Sequence, residues 1–271
     1  MPVLQKENPN GLTTTHHLPM DSKRLSPKQV DKTTIYIDVD PASRFSQTPQ
    51  ALVDRFNKRA HQNYDLGSKN SQWCGGQISS DIFADYAHQH QDRFFDDDVS
   101  PVNIFEVGAA NGYSAQFFSR VLKQDFNRQS YVVGVDVSDH LLAEGVKKQR
   151  LNDAVQASGV DALRLVDRDN IDMVNCIGGL EFFQADELDE FLTNAYRATR
   201  KGGVLNATFE LTGSKKPRGN VQRTMDEVVH AVLDHGFNVH AATEIDDAWL
   251  LKTKSGQRKP IANGVITAYV P

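Results

Sequence analysis

From Pro101 onward the chain repeats one unit: a short apolar run, a loop bearing glycine, then a helical stripe of apolar residues. Val102-Asn-Ile-Phe-Glu-Val107 runs into Gly108, and Phe117, Phe118, Val121 and Leu122 follow at helical spacing. Tyr131 to Asp136 is a second such run, followed by Leu141, Leu142 and Val146. Ala162–Val166 is predicted as the third strand and Ile171–Ile177 as the fourth. Leu188, Phe191, Leu192 and Ala195 then form an amphipathic helix. It stops at Arg200-Lys-Gly202-Gly203, with cations in the last turn and glycine beyond. Val204 to Leu211 reads as the fifth strand. Met225, Val228, Val229 and Val232 form another helix, and Asn238–Ile245 and Gly264–Val270 close the chain as strands. Strands alternating with helices argue for an α/β fold, a mostly parallel sheet with helices on both faces.

The segment before this repeat is different. Residues 1–33 are polar and aperiodic, and are predicted to be a flexible leader with no fold of its own. Thr34 to Val39 alternates and reads as an isolated strand or a strap on the core. Between Thr48 and Phe95 the spacing is helical, so residues 34–99 are predicted to form a helical lid, and 100–271 the main domain.

Composition narrows the function. Of 271 residues, 30 are Lys or Arg and 35 are Asp or Glu, a net charge of −5 that disfavours a general nucleic-acid binder. No apolar run approaches the roughly 18–20 residues of a membrane span, and the N-terminus lacks the apolar core of a secretory signal. Cys74 and Cys176 are too few for a disulfide framework and too far apart for a metal site. His88 and His90 point to different helix faces, and Asp96-Asp97-Asp98 reads as a solvated loop. The expectation is a cytoplasmic protein without metal or membrane.

In an open α/β sheet the ligand crevice lies beyond the carboxyl ends of the strands. Glu106-Val-Gly108-Ala109-Ala110-Asn-Gly112 should feed it. Gly108 permits a tight turn, and the small Ala109, Ala110 and Gly112 leave room for a ligand. Asp136, 24 residues past Gly112, ends the second strand, where a carboxylate can accept both hydroxyls of a ribose. A dinucleotide fingerprint would need glycine at positions 110 and 113, which are Ala and Tyr. Glu106 would repel a pyrophosphate but suits an ammonium group. A ligand carrying adenosine and an amino acid meets both demands.

These residues resemble those of class I S-adenosylmethionine (SAM) dependent methyltransferases. Glu106 to Gly112 is similar to that family's E/D-x-G-x-G-x-G loop, and Gly134-Val-Asp136-Val-Ser138 to its G-x-D-x-S. Ile171 to Glu181 is similar to the fourth strand with its L-E ending, and Arg197 to Leu205 to the R-x-L-K-P-G-G-x-L that enters the fifth. Phe56 to Asp65 resembles the family's F-x-x-x-A-x-x-Y-D helix with one residue inserted. The resemblance implies a seven-stranded sheet whose last strand is antiparallel, SAM as cofactor and S-adenosylhomocysteine (SAH) as product. It implies that Glu106 and the Gly108–Gly112 backbone hold the methionine part, Asp136 the ribose and Val137 the adenine face. Ile177 and Gly178 would lie beneath the sulfonium, with Tyr64 closing the lid. The acid contacting adenine is Asp167, which directly ends an apolar run, or Asp153 if the third strand begins earlier. Phe182 stands where many members carry His, so that side chain's general-base role is absent, and no catalytic residue is assigned.

The reaction implied is methyl transfer to O, N or C of a small molecule, with a homodimer allowed. Lys215, Lys216 and Arg218, and the stretch from Lys252 to Lys259, put basic residues on connections at the substrate rim, which suits an anionic acceptor. Solubility is the plainer account of those lysines. Glu181 and Glu210 lie near strand ends, where either could orient an amine, act as a base or be a solvated rim carboxylate. The alternatives are a fold member that binds SAM for other chemistry or as a binding partner, a protein or RNA methyltransferase, and, weakest, a nicotinamide-dependent dehydrogenase.

Overall fold

The computed structural model describes residues 20–48, 50, 51, 53, 54, 57, 75–95, 100–213, 221–252 and 258–271, with backbone alone at 246–252 and 258–261. The strands are β1 (Leu25–Val30), β2 (Thr33–Asp38), β3 (Val102–Val107), β4 (Ser130–Asp136) and β5 (Asp153–Gln156). They continue with β6 (Ile171–Ile177), β7 (Thr199–Glu210), β8 (Asn238–Lys252) and β9 (Arg258–Tyr269). They form one sheet in the order β1-β2-β5-β4-β3-β6-β7-β9-β8. Strands β2 to β7 pair in parallel, and β9 runs antiparallel to both β7 and β8. The helices are α1 (Gly75–Gln89), α2 (Gln91–Phe94), α3 (Ala115–Asp125), α4 (Asp139–Lys147), α5 (Ala185–Ala198) and α6 (Met225–Asp234).

Two apolar layers sandwich the sheet. On one face Phe83 and Tyr86 of α1, Phe118 and Leu122 of α3 and Leu142 of α4 pack on Ile104, Val132, Met173 and Val204. On the other, Phe191 and Leu192 of α5 and Val228 and Val232 of α6 pack on Phe105, Val133, Val174, Leu205 and Ile266. Each parallel strand thus buries both faces, which is why these runs read as almost continuously apolar. Among the described residues no helix is long and apolar enough to cross a membrane, and no group of three metal-ligating side chains gathers.

The α/β class and the antiparallel final strand agree with the sequence reading, with two corrections. The sheet has nine strands among the described residues, because the expected leader ends in structure: Leu25–Val30 pairs antiparallel with Thr33–Asp38, and β2 extends the sheet beside β5. The alternating Thr34–Val39 run corresponds to β2, packed through Ile35 on the core, whereas β1 buries only Val30 and is fastened largely by polar links. Arg24 pairs with Asp38 at 3.0 Å, and Lys28 reaches Asp139 at 2.7 Å and the Gln156 side chain at 2.9 Å. Pro27 is tolerated because β1 is an edge strand. The second correction concerns the third strand of the repeat, which is Asp153–Gln156 and not Ala162–Val166. Ala162–Leu165 is a 3-10 turn that buries Leu163 and Leu165 in the α5 layer.

Leu151, 3% exposed, is wedged where β4, α4 and the loop after β3 converge. A Cβ at Gly134 would come within 2.6 Å of it, at Gly145 within 2.7 Å and at Gly112 within 2.9 Å. Three glycines let one leucine fill the space beneath the crevice loop. Leu151→Ala should therefore cost about 2–5 kcal/mol of stability, since the surrounding backbone cannot collapse fully onto the void. Urea unfolding of the variant measures this.

Candidate functional site

The loop that follows β3 is built from left-handed residues. Gly108 has φ +68°, Ala110 φ +47° and Gly112 φ +71°. A glycine takes this conformation freely, whereas Ala110 pays about 1–3 kcal/mol for it. The Ala110 N–H donates to Asp136 Oδ2 at 2.9 Å, and the Ser138 N–H donates to Oδ1 at 2.9 Å. Hydrogen bonds to a charged acceptor contribute about 1.5–3 kcal/mol each, enough to hold the strained turn. Asp136 thus ties the β3 loop to the end of β4. Burial holds its carboxyl above the usual range, although the backbone N–H groups of Ser138, Ala110 and Val137 pull it down. Both oxygens keep lone pairs beyond these bonds.

Glu106, 1% exposed, is buried beneath the loop. It receives the Ser114 hydroxyl on Oε1 and the Asn175 amide on Oε2, the latter at 2.9 Å. The Asn206 amide donates to Asn175 Oδ1 at 3.0 Å, and the Thr267 hydroxyl donates to Asn206 Oδ1 at 2.9 Å. These four residues are paired neighbours on β3, β6, β7 and β9. One rung of the sheet therefore carries a file of donors, each pointing toward the Glu106 carboxylate. Burial still raises the Glu106 pKa, with the Ser114 and Asn175 bonds opposing it.

A second loop, after β6, faces the first. Gly178 has φ +74°, and its N–H donates to Thr208 Oγ1 at 2.7 Å. A Cβ on Gly108 would lie only 3.9 Å from Gly179 Cα, so the two loops approach closely at the mouth of the crevice. Buried Arg223 fixes the turn beyond, donating to Leu180 O at 2.7 Å and to Phe183 O. Cys176 is fully buried, and burial with Glu181 and Glu106 nearby pushes its thiol well up, which removes it as a nucleophile.

The structure brings Glu106, Gly108, Ala109, Ala110, Gly112, Asp136, Val137, Ile177 and Gly178 to the carboxyl end of the sheet. Tyr64, Lys215, Lys216 and Arg218 lie outside the described residues. Asp167 is corrected: it is exposed and sits at the opposite end, where Asp169 N–H and Asn170 N–H bond to the end of α5. Asp153 also starts β5 at that far end, hydrogen-bonded to Tyr131. Neither acid is near the loop, because the strand between them runs toward the crevice through Gln156. Gln156 was not singled out in the sequence, nor were Asn175, Asn206, Thr267 and Ser114. The available signal was an asparagine set among the apolar residues at the centre of each of two strands, a costly choice without a partner.

The raised pKa of Glu106 makes a prediction with a defined sign. Its folded value lies above the ordinary 4.5, so ionisation costs stability. That cost is complete above the folded pKa and vanishes as pH falls to about 4.5 and below. Glu106→Gln should therefore melt higher than the wild type at pH 8, with the gap closing toward pH 5 in a calorimetric series.

Comparison with known proteins agrees with this geometry. Residues 104–203 match the family model described as a methyltransferase domain. A curated relative, the malonyl-[acyl-carrier protein] O-methyltransferase of Hamiltonella defensa, is 27% identical over 133 residues, 49% of this chain and 47% of the relative. The chain thus spans about half the length of the curated relative it matches. Two solved structures share the fold. One chain of a Haloferax volcanii complex between a methyltransferase activator and a methyltransferase aligns with TM-score 0.58 and 15% identity, covering 80% of this chain and 96% of that one. Burkholderia thailandensis 1,6-didemethyltoxoflavin-N1-methyltransferase, solved with its substrate and SAH, aligns with TM-score 0.55 and 16% identity, covering 90% and 99%. With the glycine loop, the acid ending β4 and the sheet order in agreement, residues 104–203 carry a methyltransferase domain on the fold that these solved structures share.

Proposed function

We propose that this protein transfers the methyl group of SAM to an oxygen, nitrogen or carbon atom of a small molecule. The observation that carries the reading is the crevice loop. Its glycines stand where a ligand must meet bare backbone, with Asp136 beside it and Glu106 beneath. The donor set suits the cofactor. The Gly108–Gly112 backbone and Glu106 would hold the methionine part and Asp136 the ribose diol, with Val137 against the adenine. Ile177 and Gly178 would line the sulfonium side. When bound, SAM supplies a methyl group already activated on a positively charged sulfur. The protein's work is then to align the acceptor and exclude water. The curated relative and the Burkholderia neighbour act on different acceptors, so the fold leaves the acceptor open.

A finer reading is that the acceptor carries an anionic group. The connection after β7 leaves the carboxyl end of the sheet, and the β8–β9 ribbon extends beyond it to the pair Lys252 and Arg258. Basic residues on both would favour a carboxylate or phosphate by charge attraction.

Titration calorimetry with SAH, and with NADH as control, tests the first reading on the wild type and Asp136→Ala. SAH should bind the wild type and bind the variant about tenfold or more weakly, a loss of at least one charge-assisted bond. Binding of NADH, or indifference of SAH to the substitution, would remove the reading. For the anionic acceptor, reversing Lys215, Lys216 and Arg218 to Glu should raise the acceptor's KM and leave SAH affinity unchanged. An unchanged KM would end it.

A further inference from the structure

Outside the cofactor loop, the Asn263 side chain lacks the partners its burial demands. Asn263 is 1% exposed, yet neither Nδ2 nor Oδ1 has a hydrogen-bond partner. A buried amide left unpaired on both sides destabilises a fold, and such groups are uncommon. Asn263 lies on β9 directly opposite Glu210 of β7, itself 1% exposed. Cross-strand partners of this kind hold their Cβ atoms about 4.5–5.5 Å apart. By strand alternation Glu210 and Asn263 share a sheet face with Asn206 and Thr267, and so with Glu106. Four residues along β7 separate Glu210 from the Glu106 rung, about 13 Å toward the carboxyl edge. The face is apolar at its amino half, with Ile104, Met173 and Val204. It turns polar at its carboxyl half, through Asn206, Thr208 and Glu210.

We propose that Asn263, with Glu210 beside it, is a binding subsite for the methyl acceptor, and that it takes an uncharged amide-type edge, an N–H next to a C=O. This rests on the methyltransferase reading above and names the acceptor chemistry of its crevice. The match follows from the inventory of groups: an amide offers one acceptor oxygen and two N–H donors, and a carboxylate offers acceptors only. A lactam, imide or ureide edge satisfies Asn263 on both sides, and a ureide keeps a second N–H. A carboxylate in the same place would leave Asn263 Oδ1 without a donor and is disfavoured there. The basic rim and this inner subsite therefore address different parts of one molecule.

The test uses Asn263→Leu, close in volume and without polar atoms. Uracil is the probe for the amide-type edge and acetate its control, each titrated by saturation-transfer NMR with and without saturating SAH. Uracil should bind the wild type and weaken about fivefold or more in the variant, the effect of losing at least one neutral hydrogen bond. SAH affinity should stay within about twofold, since Asn263 is remote from the cofactor loop. The variant should melt at the wild-type temperature or above it, because an unpaired amide has been removed from the interior. A fall in Tm of more than about 5 °C would assign Asn263 a structural role, such as holding an internal water, and would overturn the proposal. So would uracil binding that is unchanged in the variant, absent from the wild type or weaker than that of acetate. A wild type that binds no SAH defeats the methyltransferase reading instead, while uracil binding lost in the variant still marks the subsite.

Discussion

A carboxylate placed inside a sheet governs much of this structure. The desolvation penalty for a buried charge is several kcal/mol, more than any single neutral hydrogen bond offsets. Glu106 is held by the Ser114 hydroxyl and by a file of donors that crosses three further strands, Asn175, Asn206 and Thr267. Aligned bonds of this kind polarise one another in a low-dielectric interior. The arrangement also fixes the pairing: a one-residue slip of β9 would turn Thr267 to the opposite face and leave Asn206 short of a donor. The same rung that carries charge to the crevice therefore sets the register of the sheet.

Around that rung the crevice is made by close approach. Leu151 fills the space that three glycines leave open, so the β3 loop lies directly over packed side chains. Above it, Asp136 holds Ala110 in a left-handed turn, and Thr208 holds the Gly178 N–H of the facing loop. Both loops are positioned by side chains from neighbouring strands and not by their own sequence. A site of this kind is pre-organised by its scaffold, which suits a reaction whose acceleration comes mainly from alignment.

The face shared by Glu106 and Asn263 explains how one sheet serves two tasks. Its amino half is sealed by aromatic residues of α1 and α3, and Tyr86 donates to Gly202 O at 2.9 Å to close that end. Its carboxyl half replaces apolar side chains with Asn, Thr and Glu at alternate positions. The first half is packed by apolar contacts, and the second holds the polar file and the Thr208 bond that position the crevice loops.

The sequence alone determined the α/β class, the antiparallel last strand and the glycine loop. Those features are local: apolar runs of strand length, helical spacing and glycine at tight turns are each written in a few adjacent residues. Glu106, Gly108 and Asp136 were legible because their spacing follows from strand and loop lengths. Tertiary structure alone decided the rest. Strand β1 has no apolar alternation of its own, since Arg24 and Lys28 fasten it through partners 14 and 128 residues away. The strand beside β4 is only four residues long, and its neighbour Ala162–Leu165 belongs to the more apolar run, so Asp167 was drawn to the wrong end of the sheet. Asn175, Asn206 and Thr267 acquire meaning only when pairing sets them side by side, because contacts across strands leave no spacing in the chain.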